Sequence, residues 1–536
     1  MGEAERDLDA VVVGAGFSGL YMLHRLRGLG LRAAVLEAGD GVGGTWYWNR
    51  YPGARCDSES YYYSYSFDED LQQEWEWSER YPGQPEILRY LDHVADRFDL
   101  RRDIRFGTRV AEAAFDADAG RWRLRTTDGE RFTARFFITA VGCLSAANVP
   151  DIPGLDSFRG RWFHTGRWPH EGVDFTGLRV GVVGTGSTGI QAIPVIAEQA
   201  RHLTVFQRTA NYSIPARNGP MEAAFQREVK DGYEAIRRTQ RASTNGHPFD
   251  VSERPALSVS EEERRAVYEA AWERGGLRFR AAFADLLTSK EANDTASEFL
   301  RAKIREIVRD PATAEKLVPR DHPFATKRPP IDTDYFETYN RDDVTLVDVR
   351  ETPIVEITAD GLRTTAETHA LDRLVFATGF DALTGPLLAM DIRGTGGRTL
   401  REKWAEGPRT YLGLQVAGFP NMFTITGPGS PSVLTNMPTS IEQHVDWIAD
   451  CIAHLRERGL ERIEATEEAE RAWGEHVEEA AHATLLPLAA TSWYLGANVP
   501  GKPRVFLPYA GGFAAYARRC AEVAESGYEG FIRTAP

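Results

Sequence analysis

A chain of 536 residues is too long for one hydrophobic core, which predicts two or three domains. Its 42% hydrophobic and 26% charged residues are those of a globular protein, and a formal net charge of -15 argues against nucleic acid or an anionic membrane as a partner, because both recruit positive surface. No apolar run approaches the roughly 18 residues that span a bilayer, Met1 to Asp9 lacks a signal-peptide pattern, and Cys56, Cys143, Cys451 and Cys520 are scattered, so the expectation is a cytoplasmic chain with free thiols, no dithiol redox pair and no metal site.

The first element is Asp9-Ala-Val-Val-Val-Gly14, an apolar strand ending in the fingerprint Gly14-Ala-Gly16-Phe17-Ser18-Gly19, with helical spacing of apolar residues from Phe17 to Leu29. Strand, tight turn and helix in that order aim unpaired backbone N–H groups at a pyrophosphate. A second strand, Ala33 to Leu36, ends at Glu37, where a carboxylate accepts the hydroxyls of an adenosine ribose and repels a 2′-phosphate. A plain surface glutamate is the alternative. The residues from Gly43 to Asp57 read as a glycine-rich aromatic loop, offering flat apolar surface for an isoalloxazine ring and one carboxylate near it. Arg121 to Ile138 reads as a hairpin about Asp128-Gly129, and Pro150 and Pro153 mark a linker.

Leu178 to Gly184 repeats the strand-to-glycine pattern and opens a second fingerprint, Gly184-Thr185-Gly186-Ser187-Thr188-Gly189. After its next strand, Leu203 to Phe206, comes Gln207-Arg208-Thr209 where the first unit has its acid. Arginine there can pair with the 2′-phosphate of NADP, so the first unit reads as FAD-binding and the second as NADPH-binding. An exposed arginine without a ligand is the other reading. Residues 216–322 are charged and helical, with Ser260 to Glu263 as a capping box and Phe299, Leu300, Ile304, Ile307 and Val308 on one face, which predicts a helical insertion with packing and lid duties. Lys327-Arg328 is held before Pro329-Pro330, and the strands Val344 to Val347 and Leu374 to Ala377 close the second unit.

Between the two fingerprints lies Phe158-Arg-Gly160-Arg-Trp-Phe-His164-Thr-Gly-Arg-Trp168-Pro169. Phe158, Gly160, His164, Trp168 and Pro169 match the signature of the type I Baeyer-Villiger monooxygenases, and Gly44, Trp46, Tyr51, Pro52, Gly53 and Asp57 fill a second signature of the same family. The sequence resembles that family, with its aryl-, cyclic- and steroid-ketone members, over nearly its whole length.

The resemblance implies an α/β fold with two Rossmann-like dinucleotide-binding domains and a helical insertion in the NADP domain. Residues 1–143 and 381–536 would form the FAD-binding domain, 144–215 and 323–380 the NADP-binding domain, and 216–322 the insertion. It implies that NADPH reduces FAD, that O2 forms a C4a-peroxide on the flavin, and that a ketone becomes an ester or lactone. Arg328 would be the catalytic cation and Asp57 its anchor. FAD would also meet Gly44, Thr45, Trp46, Trp48, Tyr63, Val110 and Met437. Lys327, Arg208 and Thr209 would hold the 2′-phosphate, and Trp493 the nicotinamide end. Ser58, Cys143, Leu144, Phe380, Ser432, Val433, Leu434 and Met437 would line the ketone pocket, which two small residues, Ser58 and Cys143, would open to larger ketones. His164 would couple domain rotation to the cofactor, with Phe158 and Trp168 as packing residues. Partners would be a small ketone and O2, with no nucleic acid and no membrane; the sequence leaves the oligomeric state open, a monomer being compatible with it. The competing class is the flavin-containing monooxygenases that oxygenate nitrogen or sulfur.

Overall fold

The computed structural model describes residues 6–249 and 251–535, so the first five residues of the N-terminal stretch judged above lie outside it. The apolar run of the first fingerprint forms the strand Arg6–Val13, buried on both faces at its end, as a central parallel strand must be. It pairs in parallel with Ala33–Leu36 on one side and Arg131–Thr139 on the other, inside an eight-stranded sheet. Val110–Asp116, Arg121–Thr126 and Arg131–Thr139 form an antiparallel meander, in which Arg121–Thr126 alternates buried and exposed positions. The expected Asp128-Gly129 turn closes it, with Gly129 at a φ of 95. Two strands come from the far end of the sequence: Asp391–Arg393 at one edge, and Met422–Thr424 against Arg131–Thr139.

A second sheet of five parallel strands runs Val344–Asp348, His202–Gln207, Arg179–Val183, Arg373–Phe376, Arg161–His164. The middle third of the signature stretch Phe158–Pro169 is therefore the edge strand of this sheet. The reason is apolar: Phe163 and Trp168 pack into the core of this sheet and Phe158 into a neighbouring cluster. The sequence gives no warning of the small antiparallel sheet Ile354–Thr358, Gly361–Thr364 and Thr368–Ala370.

The helices Ala223–Ala242, Glu261–Arg274, Lys290–Ile307 and Pro311–Leu317 lie within residues 216–322, and Tyr268, Trp272, Phe279, Phe283 and Leu300 pack in one cluster with Tyr212, Ile214 and Phe324 from the flanking segments. The capping box at Ser260 is only half formed. Ser260 accepts the Glu263 N–H at 3.2 Å, but the Glu263 carboxylate turns away to Arg254, an ion pair that outcompetes a bond back to the cap. The Gly43 to Asp57 stretch is not all loop, since Thr45–Trp48 winds into one helical turn. Helix Met437–Glu457 packs on helix Phe17–Gly28. Among the described residues no helix is long and apolar enough to cross a membrane, and no cluster of metal-ligating side chains forms.

Candidate active site

The first glycine turn is tight because nothing larger fits. Gly14 has a φ of 104, and a Cβ on it would lie 2.5 Å from the Ala140 carbonyl oxygen; on Gly19 it would lie 1.8 Å from the Gly14 oxygen. Helix Phe17–Gly28 starts at Gly16 with no side-chain cap, so its first-turn amides stay open to phosphate oxygens. Gly44 approaches Gly16 so closely that a Cβ would meet the Gly16 Cα at 2.9 Å, which brings Thr45, Trp46 and Trp48 beside the turn. Glu37 is buried and accepts the Ala15 and Gly39 N–H groups, each at 2.7 Å. Burial raises its pKa, and those two amides oppose the shift. Trp46 donates its indole N–H to the Tyr63 hydroxyl at 3.3 Å, Val110 is buried, and Met437 opens helix Met437–Glu457.

The second turn has the same build. Gly184 has a φ of 112 and a Cβ there would fall 2.4 Å from the Ala377 oxygen, while helix Ser187–Gln199 also starts without a side-chain cap. The hydrogen bonds that close the two turns, Gly14 N–H to Leu36 and Gly184 N–H to Phe206, put Gln207 and not Arg208 in the place of Glu37. Gln207 is buried, donates to the Lys316 carbonyl at 2.7 Å, and leaves its Oε1 without a partner among the described residues. Arg208 follows it on the exposed side. Arg350, which the sequence reading missed, donates to the Thr209 hydroxyl at 3.0 Å and pairs with Asp321 at 2.7 Å. Lys327 donates to Thr491 at 2.8 Å; its pKa is lowered by burial and by the charges of Arg208 and Arg350. Three cations, Arg208, Lys327 and Arg350, thus gather beside the second turn, with Asp321 as the carboxylate among them.

Asp57 and Arg328, far apart in sequence, meet in a two-pronged pair: Arg328 Nε donates to Asp57 Oδ2 at 2.6 Å and Nη2 to Oδ1 at 2.7 Å. The remaining Nη1 donates to the Val433 carbonyl at 2.8 Å. Side-chain exposures of 22% and 21% leave the pair enclosed yet reachable. Burial disfavours the ionised Asp57, but the guanidinium outweighs it and holds the carboxyl below its usual range, while Asp57 raises the pKa of Arg328. The segment before Asp57 leans on the second unit. Tyr51 donates to Gln191 Oε1 at 2.8 Å, Gln191 donates back to the Arg55 carbonyl at 3.1 Å, and a Cβ on Gly53 would strike the Gln191 oxygen at 2.4 Å. One segment, Tyr51 to Asp57, therefore touches the helix of the second glycine turn and carries the carboxylate that Arg328 binds.

Cys143, Leu144, Val433, Leu434, Met437 and Trp493 share one apolar cluster with Tyr494, and the Cys143 thiol lies 3.8 Å from the Ser432 hydroxyl. Ser58 is buried beside Asp57. Phe380 lies outside this cluster: its ring abuts Gly166 and meets His164 edge-on at 6.1 Å, because the Asn498 side chain holds its carbonyl at 2.7 Å. His164 is buried, accepts the Gly166 N–H at 3.0 Å and meets the Thr378 hydroxyl at 3.3 Å. Burial, with Arg167 nearby, lowers its pKa to about 4. At neutral pH its imidazole is uncharged. The insertion adds His247, buried near Asp57 and Arg328, with a pKa lowered to about 3 by burial and by the Arg328 charge. Nothing in its sequence context signals that.

Two glycine turns with open helix ends, bridged by a segment that ends in a guanidinium-carboxylate pair, define a flavoprotein that works with a nicotinamide dinucleotide. A family model described as flavin-binding monooxygenase-like matches residues 9–221. The chain is 48% identical over 98% of its length to a Baeyer-Villiger monooxygenase of Pseudooceanicola batsensis, covering 96% of that protein, and equally identical, with the same coverage of both chains, to a phenazine N-monooxygenase of Lysobacter antibioticus. A solved steroid monooxygenase bound to NADP superposes with a TM-score of 0.94 at 57% identity, over 99% of this chain and all of that one. The chain belongs to the Baeyer-Villiger monooxygenase family.

Proposed function

We infer that the protein is an FAD-dependent monooxygenase that consumes NADPH and O2 to insert an oxygen atom next to a ketone carbonyl, giving an ester or a lactone. FAD and NADPH supply the electrons and the activation of oxygen. The residues fit both groups: open helix amides and a buried Glu37 for FAD, and for NADPH a second set of open amides, the unpartnered Gln207 Oε1 and the cations Arg208, Lys327 and Arg350 for a 2′-phosphate. The observation that carries the reading is the Asp57–Arg328 pair, held by two short bonds and enclosed without being sealed.

Arg328 cannot lose its proton, so it presents a fixed cation to the negative charge that develops on oxygen during transfer. Asp57 fixes the plane of that cation. The Val433 carbonyl takes one further N–H and turns the fork toward the apolar cluster. We assign the ketone to the wall formed by Cys143, Leu144, Ser432, Val433, Leu434 and Met437, with Ser58 at the Asp57 end, and Trp493 to the nicotinamide end of NADP. Phe380, whose ring meets His164, would border that wall from outside the cluster. Residues 1–143 with 381–536 would bind FAD, 144–215 with 323–380 would bind NADPH, and 216–322 would cover the site. His164 would transmit movement of its sheet to the cofactors. The protein would act in the cytoplasm.

The test is NADPH consumption against linear, cyclic, aryl and steroid ketones with product identification. Esters or lactones support the reading. Oxygenated amines or sulfides with no ester from any ketone would overturn it in favour of nitrogen or sulfur oxygenation, the activity named for one relative of equal identity.

A further inference from the structure

The sequence of the insertion shows no chemistry, yet its first helix, Ala223–Ala242, sends a guanidinium into the interior. Arg237 is buried with no carboxylate within ion-pairing distance among the described residues, and it is held by neutral oxygens instead. Its Nε donates to Gln72 at 2.8 Å, Nη1 to Gln240 at 2.9 Å and to the Tyr62 carbonyl at 3.4 Å, and Nη2 to the Ser64 hydroxyl at 2.8 Å and the Tyr65 carbonyl at 3.1 Å. Gln240, three residues on and also buried, donates to the Tyr62 carbonyl at 3.2 Å, the Gly246 carbonyl at 3.1 Å and the Thr439 hydroxyl at 3.1 Å.

A buried cation with no directly bonded carboxylate is costly; the charge that offsets it is Glu442, which accepts the Ser66 amide and hydroxyl just beyond Tyr65 and lies outside ion-pairing distance. What it holds is informative. Tyr62 to Tyr65 continues directly from Asp57; Tyr63 accepts the Trp46 indole N–H, and the Tyr65 hydroxyl donates to the Phe17 carbonyl at 2.5 Å, in the first turn of the helix that opens on the first glycine cradle. Gly246 precedes His247, which borders the Asp57–Arg328 pair, and Thr439 lies in the first turn of the helix that Met437 opens.

We propose that Arg237 and Gln240 are positioning residues: from the insertion they fix the Tyr62–Tyr65 strap, the His247 loop and the Met437 helix start relative to one another, and thereby set where Asp57 and Trp46 stand against the flavin. This rests on the FAD-site reading given above. A loosened strap would let water in and release reduced oxygen as hydrogen peroxide in place of ester.

The experiment compares the purified holoenzymes of wild type, Arg237→Lys, Arg237→Met and Gln240→Ala for hydrogen peroxide formed per NADPH consumed, the visible flavin spectrum, KM for NADPH and thermal midpoint. Arg237→Met is expected to raise the peroxide fraction about threefold or more and to shift the flavin absorption, with KM for NADPH changed by less than about twofold. Arg237→Lys recovers part of the coupling, and Gln240→Ala shifts it in the same direction by less. If Arg237→Met does not fold, Gln240→Ala decides. A lowered thermal midpoint with wild-type coupling and spectrum, in whichever variant folds, overturns the proposal. Peroxide per NADPH is read with a ketone that the wild type turns over, and the flavin spectrum without one, so absence of ester from the wild type counts against the ketone reading alone and leaves the flavin spectrum to decide the proposal.

Discussion

The two glycine turns are nearly the same object, down to the alanine carbonyl, Ala140 or Ala377, that a Cβ on the first glycine would strike. They differ at the residue after the second strand. In the first, Glu37 accepts one amide of the turn, Ala15, and one just after itself, Gly39; in the second, Gln207 faces away to Lys316 and leaves the rim to Arg208, Lys327 and Arg350. On the proposed reading the glycines build a generic phosphate cradle, and one side chain with its neighbours would select the nucleotide.

The sharpest way to break that comparison is to fill each cradle in turn. Gly19→Ala is expected to yield protein without the visible flavin spectrum, whereas Gly189→Ala, whose Cβ would fall 2.2 Å from the Gly184 oxygen, keeps FAD and loses reduction by NADPH. Exchanging the selecting charge comes next: Arg208→Glu should shift kcat/KM from NADPH toward NADH by about 10²-fold, and Lys327→Ala by about tenfold, read from initial rates with both nucleotides. Glu37→Gln keeps one acceptor and sets an amide donor against a backbone N–H, so FAD affinity should fall by about tenfold in a fluorescence titration.

The smallest effect lies in pH. His164, with its pKa lowered to about 4, and His247 and His444, lowered to about 3, are neutral in the folded protein, while the unfolded chain takes up protons near the ordinary value of 6.5. Their contribution to stability is complete above about pH 6.5 and is lost progressively as pH falls toward 4 and 3. A thermal midpoint that falls across that window, less steeply in His164→Gln, with the pH profile of ester formation above pH 6.5 unmoved, would fit this account.

Both cradles were legible in the sequence because glycine spacing reports a backbone requirement directly. The Asp57–Arg328 pair was accessible only through resemblance, since two residues so far apart carry no local pattern that joins them. Gln207 could have been placed by counting from Phe206, the strand end that matches Leu36. Arg350, Arg237 and the position of Phe380 could not, because each depends on how separate segments pack. The same holds for Glu263, whose partner in space outweighed the local cap.

The central claim is that the guanidinium anchored by Asp57 serves oxygen transfer and not flavin reduction. Arg328→Ala separates the two most directly, by measuring flavin reduction by NADPH without oxygen and ester formation with it. Reduction within about tenfold of wild type together with ester formation lowered by more than about 10²-fold is the expected result. Ester made at close to the wild-type rate would contradict it.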